Sequence, residues 1–171
     1  MIEVEVKAKL SNKTERKVKN KFNFKKEIKQ TDYYFNHPNR DFKKTDEALR
    51  IRKTNTDTYL TYKGSKLDEK SKSREEYEIK VSDFEETKKI LTKLSFRKPK
   101  EVKKTRQVYE KDSTKIYIDN VKGLGKFIEV EKIANETEYK NKLHKCIKLI
   151  KDLGIDENNL EKRSYLELLE N

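Results

Sequence analysis

The amino-acid sequence predicts an α+β protein in which eight antiparallel strands close into a β-barrel and helices pack on its outside. Eight segments alternate apolar and polar residues with the period of two that half-buried strands show. Helical segments interrupt this series at three places and can cover the apolar face of the sheet. The other face is charged in strand after strand, so the barrel interior is predicted to be charged, with charges that neutralise one another, hold water or bind ions.

Length and composition predict one folded domain over residues 1–171. Charged residues make up 43% of the chain and hydrophobic residues 32%, but the charge signs are mixed and the apolar residues are periodic, which favours folding over disorder. The net charge of +12 points to an anionic partner, or alternatively to a solvated or heat-adapted surface. One cysteine, Cys146, fits a reducing compartment. We find no signal-peptide pattern or membrane-length apolar run, so we expect a cytoplasmic protein without a membrane partner.

The first strand, residues 2–9, shows the alternation most clearly. Its apolar residues share one side of the extended chain, and the other side carries Glu3, Glu5 and Lys7. A solvated strand face seldom concentrates charge in this way, so we take this strand as the pattern for the others. The same periodicity predicts further strands at residues 26–36, 47–54, 58–64, 73–81, 101–110, 115–121 and 126–134.

Four helices are predicted from apolar residues at helical spacing, at residues 12–22, 82–96, 135–153 and 164–170. Serine and asparagine side chains can accept hydrogen bonds from the free N–H groups at a helix start, and a glutamate three residues later completes a capping box. The polar segment 65–72 is predicted to be a mobile loop. The cap candidates are Ser11 or Asn12, Ser82 with Glu85, and Asn135 with Glu138.

Pairs of like charges at positions i and i+2 recur on the predicted strands. Two neighbouring carboxylates on one strand face can chelate a hard divalent cation, whereas paired arginines and lysines grip phosphate oxygens. Together these pairs predict a site for a complex of a polyphosphate with a divalent metal. The acidic candidates are Glu3, Glu5, Glu76, Glu78, Asp119, Glu129 and Glu131, and the basic candidates are Lys7, Arg50, Arg52, Lys63, Lys80, Lys104 and Arg106.

The order of these motifs along the chain resembles the CYTH superfamily, the triphosphate tunnel metalloenzymes. The segments 37–52, 123–131 and 163–169 are most similar to its class IV (CyaB-type) adenylate cyclase branch, while thiamine and inorganic triphosphatases share the tunnel. The resembling motifs, which span nearly the whole chain, are Glu3-x-Glu5-x-Lys7, Asp32-x-Tyr34, Leu49-Arg50-Ile51-Arg52, Thr61-Tyr62-Lys63-Gly64, Arg74-x-Glu76-x-Glu78, Lys104-x-Arg106, Asp119-x-Val121 and Glu129-x-Glu131.

The resemblance implies a tunnel of eight antiparallel strands with an enzyme site inside it. The residues that it implies for triphosphate binding are Lys7, Arg50, Arg52, Lys63, Lys80, Lys104, Arg106 and Arg163. Those that it implies for holding one or two Mg²⁺ or Mn²⁺ ions are Glu3, Glu5, Glu76, Glu78, Asp119, Glu129 and Glu131. The residues expected to take part in catalysis are Glu3, Glu5, Lys63 and Arg106.

We therefore predict a divalent-metal-dependent enzyme that acts on a triphosphate such as ATP, thiamine triphosphate or tripolyphosphate. An adenylate cyclase would convert ATP to cyclic AMP and pyrophosphate, and a triphosphatase would release the terminal phosphate. Metal activation of the nucleophile is the simpler mechanism, and Lys63 or Lys80 is the alternative as a general base. A non-catalytic polyphosphate- or RNA-binding module is a further alternative, although no aromatic RNA-recognition pattern is present and the acidic residues would repel nucleic acid. A homodimer formed through a barrel end or helix 135–153 is left open.

Overall fold

A computed structural model describes residues 2–67, 71–111 and 114–170 of the chain. None of the helices in these ranges is both long enough and apolar enough to cross a membrane. The described strands are β1 (Ile2–Lys9), β2 (Asn23–Asn36), β3 (Ala48–Lys53), β4 (Thr58–Lys66), β5 (Arg74–Val81), β6 (Arg97–Lys111), β7 (Thr114–Val121) and β8 (Gly125–Ala134). The described helices are α1 (Asn12–Lys21), α2 (Phe42–Thr45), α3 (Phe84–Lys93), α4 (Tyr139–Asp152) and α5 (Tyr165–Leu169), with a 3₁₀ turn at Glu157–Asn159.

The eight described strands close into a ring in the order β1-β5-β4-β3-β2-β6-β7-β8, and each neighbouring pair is antiparallel. This confirms the predicted barrel. The two joints made by β1 differ in length. Every residue of β1 is paired with β8, whereas the described pairs with β5 are Ile2 with Glu75 and Glu3 with Arg74. The joint between β1 and β5 is therefore a short seam in the ring.

Apolar residues on the outer face of the sheet pack against helices. Val4 and Val6 of β1 are buried in one cluster with Val18 of α1 and with Cys146 and Ile150 of α4. A second cluster joins α3 to the outer faces of β2, β3 and β4. Because side chains alternate along a strand, covering this face with helices leaves the charged face inside the ring, as predicted.

The last helix, α5, packs against the inner face of the barrel wall. Val102, Val121 and Phe127 each lie two residues from a charged residue on the same face of their strands, and they form a buried cluster with Tyr165 of α5. Since residues two apart in a strand share one face, this cluster belongs to the interior. An apolar layer therefore bounds the charged interior on the side covered by α5.

Two of the predicted helix starts are wrong in detail. α3 is capped by Asp83 and not by Ser82: the Asp83 carboxylate accepts a hydrogen bond from the Glu86 backbone N–H at 2.7 Å. α4 begins at Tyr139, and Asn135 accepts a backbone hydrogen bond in the turn before it. At α3 the cap is the residue next to the predicted one, and at α4 the cap position is Glu138, three residues after the predicted one, with no side-chain cap hydrogen bond.

Other element boundaries also differ from prediction. β2 begins at Asn23 and β6 at Arg97, a few residues before their apolar alternation becomes regular, and the short helix α2 lies in a segment for which no helix was predicted. Of the predicted loop 65–72, residues 68–70 lie outside the described residues. Lys66 extends β4, and Ser71 is buried. The described part of this segment therefore belongs to the folded structure.

Candidate active site

The strand registers turn the predicted charged faces into one interior surface. Glu5 of β1 lies directly opposite Glu131 of β8, and Lys7 lies opposite Glu129. Residues directly opposite in an antiparallel pair project from the same face, so these four side chains share the interior. The registers of the other strands place Arg50, Arg52, Lys63, Glu76, Lys104, Arg106 and Asp119 on that face as well.

A cavity of about 70 Å³ lies among these side chains. Because a water molecule has a share of about 30 Å³ in the liquid, this space holds only a few waters. Charged side chains reach across the interior and pair, so a larger ligand must first separate some of those pairs. Among the described residues, seven cationic side chains and three carboxylates line the cavity, namely Arg50, Arg52, Lys63, Lys72, Arg74, Lys104 and Arg106 with Glu3, Glu5 and Glu129.

One group of interior charges, which we call the Asp119 cluster, consists of Asp119, Lys104, Arg106 and Tyr165. The Asp119 carboxylate is fully buried and accepts hydrogen bonds from Lys104 Nζ at 2.9 Å, from Arg106 at 2.6 and 2.7 Å, and from the Tyr165 hydroxyl at 3.1 Å. Burial alone would raise the pKa of Asp119, but the charges of Arg106 and Lys104 outweigh burial and lower it. The oxygens of Asp119 are thus engaged by the phosphate-binding candidates and hold them in place.

Asp32 holds the β3 arginines in a similar way. Its carboxylate accepts two hydrogen bonds from the Arg52 guanidinium at 2.6 and 2.7 Å, and it lies 3.8 Å from Arg50. Burial would raise the pKa of Asp32, but the charges of Arg52 and Arg50 outweigh it and hold this pKa below its usual range. Arg50 also donates to Thr61 at 3.2 Å and to Glu78 at 3.4 Å. The arginine pair is therefore fixed before any ligand arrives.

A second group, which we call the Glu5 cluster, consists of Glu3, Glu5, Glu131, Lys63 and Lys72. Lys63 pairs with Glu3, and Lys72 Nζ donates to Glu5 at 2.7 Å. Burial raises the pKa of Glu131 to about 7, and the charges of Glu3 and Glu5 add to this shift. Three carboxylates therefore share this region, and two lysines supply most of the balancing charge.

Lys7 occupies the junction between the interior and the C-terminal segment. Its ammonium is buried, donates to the backbone carbonyl of Arg163, and lies 4.2 Å from the centre of the Tyr165 ring. Burial lowers the pKa of Lys7 to about 7, and the charge of Lys72 contributes to the same shift. Similarly, burial and the charge of Arg106 lower the pKa of Lys104 to about 8.

The alternative of a lysine general base does not fit the lysines for which it was considered. Burial would lower the pKa of Lys63, but the charges of Glu3 and Glu76 outweigh it and raise this pKa. A hydrogen bond with Asp57 likewise raises the pKa of Lys80. A lysine that holds its proton this firmly is a poor proton acceptor near neutral pH.

Three of the predicted phosphate-binding residues do not line the cavity: Lys7, buried at the junction described above, and Lys80 and Arg163, which lie on the surface. The ammonium of Lys80 pairs with Asp57 at 2.5 Å, and the Lys80 side chain is 65% exposed. Alternation correctly places Lys80 on one face of β5, but the last residues of β5 run past its described pairing with β1. The Arg163 guanidinium pairs with Glu161 at 2.8 Å on the surface, and only the Arg163 carbonyl reaches Lys7.

Sequence analysis gave no role to four residues that belong to the site, namely Asp32, Lys72, Arg74 and Tyr165. Arg74 was quoted in a motif but was not among the basic candidates. Asp32 was noted in a motif but given no role. It lies directly opposite Arg52, so the register between β2 and β3 would have indicated that the two side chains pair. Tyr165 belongs to an apolar helix stripe that predicted only packing. Lys72 lies in the polar segment 65–72, where no periodicity exists to indicate the direction of a side chain.

The carboxylates of the Glu5 cluster fit a divalent cation by their chemistry. Hard cations such as Mg²⁺ and Mn²⁺ prefer carboxylate oxygens, and Glu3, Glu5 and Glu131 supply only such donors. Within the described ranges, no three carboxylate, histidine or cysteine groups already stand in the arrangement of a metal site. Here Lys63 and Lys72 occupy oxygens of Glu3 and Glu5, so a metal would have to displace an ammonium group.

Comparison with known proteins gives consistent relatives. Residues 1–165 match the CYTH domain family. A protein from Methanocaldococcus jannaschii, named as a candidate adenylate cyclase, is 43% identical over 172 residues that cover 98% of each chain. A solved protein from Pyrococcus horikoshii is 41% identical with a TM-score of 0.91, covering 98% of this chain and 97% of that one.

A more distant solved structure shares the fold. This candidate adenylyl cyclase from Hippeastrum, described as having a dominant triphosphatase activity, is 17% identical with a TM-score of 0.66 and covers 99% of this chain and 94% of that one. At this identity the likeness concerns the fold alone. The family match over residues 1–165 and the two archaeal relatives carry the assignment. With its closed barrel and its charged interior, this chain belongs to the CYTH domain family.

Proposed function

We propose that this protein is a divalent-metal-dependent enzyme that acts on a triphosphate inside the barrel and converts ATP to cyclic AMP and pyrophosphate. The observation that carries the proposal is the cavity lining, in which seven cationic side chains face three carboxylates within the described residues. This surplus of positive charge favours a small polyanion. The name of the relative from M. jannaschii supports the cyclase assignment.

The chain's own residues bind and orient the triphosphate. The Asp119 cluster and Asp32 hold Lys104, Arg106 and Arg52 in place, so these cations are positioned before the ligand arrives. Preorganised donors of this kind stabilise developing charge on phosphate oxygens without reorganising during the reaction. Arginine forks can contact two oxygens at once, and lysines add point charge.

In the cyclase reaction a bond forms between the ribose 3′-oxygen and the α-phosphorus. The bond from that phosphorus to the oxygen bridging to the β-phosphorus breaks, pyrophosphate leaves, and the proton of the hydroxyl passes to solvent. Glu3, Glu5 and Glu131 are the residues that would hold the divalent cation. When bound, such a cation lowers the pKa of the attacking hydroxyl and offsets phosphate charge. Arg106 would contact the leaving phosphates, and Lys63 would keep the carboxylates of Glu3 and Glu76 in position.

A triphosphatase is the second candidate function. The same cations would then present the terminal phosphorus to a water molecule, whose attack releases orthophosphate. The Hippeastrum protein shows that the fold can support such an activity in a protein named as a cyclase. The two reactions differ in which phosphorus faces the nucleophile, and the same residues serve both.

Product identity distinguishes the candidates. The protein is incubated with ATP, tripolyphosphate or thiamine triphosphate in Mg²⁺ or Mn²⁺, and the products are resolved by phosphorus NMR. Cyclic AMP with pyrophosphate, lost in Glu5→Gln, is the expected result. Orthophosphate from any of the three substrates would instead identify a triphosphatase. Binding of all three without turnover would overturn the enzymatic proposal and leave a binding module.

A further inference from the structure

Lys72 is a cation of the barrel interior that lies outside the strands, between β4 and β5. Its side chain is 14% exposed, and its ammonium lies 2.7 Å from a carboxylate oxygen of Glu5. Burial would lower the pKa of Lys72, but the charges of Glu5 and Glu129 outweigh it and raise that pKa, so Lys72 stays charged. It lines the same cavity as Arg50 and Arg106. The Lys72 ammonium is thus paired with Glu5, a carboxylate that is predicted to hold a metal.

The backbone at Lys72 is anchored independently of its ammonium. The Lys72 backbone N–H donates to the Glu5 carbonyl at 3.1 Å, and the Glu5 N–H donates to the Ser73 hydroxyl at 3.3 Å. Ser71 and Ser73 are buried, and their hydroxyls lie 2.7 Å apart. The ammonium is held at the end of a flexible four-carbon chain, so it can change partners while this backbone stays attached to β1.

We propose that Lys72 is a tethered counter-ion, which neutralises Glu5 until a divalent cation binds, yields Glu5 to that cation, and then contacts the incoming triphosphate. This inference rests on the proposed function, because it assumes a metal at Glu5 and a polyanion in the cavity. Lys63 and Glu3 form a similar pair, but Lys63 also contacts Glu76 at 2.8 Å and so has a second carboxylate when a metal takes Glu3. Lys72 has its one described close contact with Glu5, so a triphosphate is the natural new partner.

The proposal predicts effects of opposite sign on two ligands. Lys72→Met removes the competitor for Glu5 and leaves a buried carboxylate without its partner, so the metal alone should bind more tightly. The same change removes one cation from the cavity, so a triphosphate should bind more weakly. A general loss of structure would weaken both ligands, and an unimportant residue would change neither.

The experiment uses the full chain and two separate titrations. Mn²⁺ binding without phosphate is followed by the electron paramagnetic resonance signal of free Mn²⁺, and tripolyphosphate binding in EDTA is followed by calorimetry. For Lys72→Met we expect about tenfold tighter Mn²⁺ binding and about tenfold weaker tripolyphosphate binding. Lys72→Arg keeps the charge and should stay within about threefold of the wild type for both ligands.

A matched control comes from Lys66, the last residue of β4. Lys66 pairs with Asp46 at 2.7 Å but does not line the cavity, so Lys66→Met should leave both affinities unchanged. Changes in the same direction for both ligands in Lys72→Met, or no change in either, would overturn the inference while leaving the proposed function intact. If the wild-type protein binds no Mn²⁺ and Glu5→Gln leaves turnover unchanged, the proposed metal-dependent function and this inference both fail.

Discussion

The Asp119 cluster and the Glu5 cluster contain the same kinds of side chain in one barrel, but they differ in how completely they are paired. Asp119 is fully buried and receives hydrogen bonds from three different side chains. In the Glu5 cluster two lysines face three carboxylates that repel one another, and burial with this repulsion raises the pKa of Glu131 to about 7. We infer that the saturated cluster fixes its cations in place, whereas the unsaturated one would exchange its cations for the proposed metal.

The largest expected difference between the two clusters is between the variants Asp119→Asn and Glu3→Gln. Asp119→Asn leaves the buried Lys104 ammonium without its carboxylate, while Arg106 keeps Glu129 as a partner, so we expect it to lower the free energy of unfolding by about 3–5 kcal/mol. Glu3→Gln should lower it by less, about 1–3 kcal/mol, because Lys63 keeps Glu76 as a partner at 2.8 Å. Glu3→Gln should nevertheless reduce turnover at least about 100-fold, since it removes a predicted metal ligand.

Urea unfolding followed by circular dichroism measures both stabilities, and phosphorus NMR measures turnover. Equal stability losses in the two variants would contradict the distinction between the clusters. A Glu3→Gln protein with full turnover would contradict the assignment of metal binding to the Glu5 cluster.

The ionisation of Glu131 should make the free energy of unfolding depend on pH, which tests the incomplete pairing of the Glu5 cluster. Its pKa in the folded protein is about 7 and its ordinary value is 4.5, so between these values the folded state binds more protons than the unfolded state and stability falls as pH rises. Glu131→Gln removes this loss, so it should stabilise the protein at pH 8 by up to about 3 kcal/mol and have little effect near pH 4.

Urea unfolding of both proteins from pH 4 to pH 8 without divalent metal checks this expectation. A stability difference that does not grow with pH would show that Glu131 is ionised in the folded state across the whole range. Saturating Mn²⁺ should reduce the difference at pH 8, because a bound cation favours the ionised carboxylate.

The smallest effect is expected outside both clusters. Lys80→Met removes an exposed pair with Asp57, so it should leave both the free energy of unfolding and the tripolyphosphate affinity nearly unchanged. Lys104→Met, within the Asp119 cluster, serves as the contrast and should weaken tripolyphosphate binding at least about tenfold. Calorimetric titration of both variants tests the pair. Weaker tripolyphosphate binding in Lys80→Met would show that Lys80 does contribute to the binding site.

The alternation of side chains along strands explains what the sequence predicted well. It assigned Glu5, Arg52 and Arg106 to one face, and the barrel brings that face inside. Alternation gives the face of a side chain but not its height along the barrel, which is why Lys80 was placed in the site although it lies beyond the described seam. Height depends on the register between strands, and no single strand carries that information.

Alternation along strands could not predict the positions of residues outside the regular strands. Lys72 enters the interior because its backbone is bonded to Glu5, a contact between segments far apart in sequence. Tyr165 was predicted to pack, and it does pack against Phe127, but its hydroxyl also completes the shell of Asp119. A single polar atom on a buried ring leaves no trace in hydrophobic periodicity.

The pairing of β1 with β8 also sets the order in which the site can form. Glu5 comes from the first strand and Glu131 from the last, and they become neighbours only when the ring closes. Contacts between distant parts of a chain form late, because the loop between them must first be ordered. The arginines of β3 can meet Asp32 of the adjoining β2 much earlier. We therefore expect the β3 arginines to be in place before the carboxylates of β1 and β8 meet, so a chain that has not closed its barrel would lack the proposed metal site.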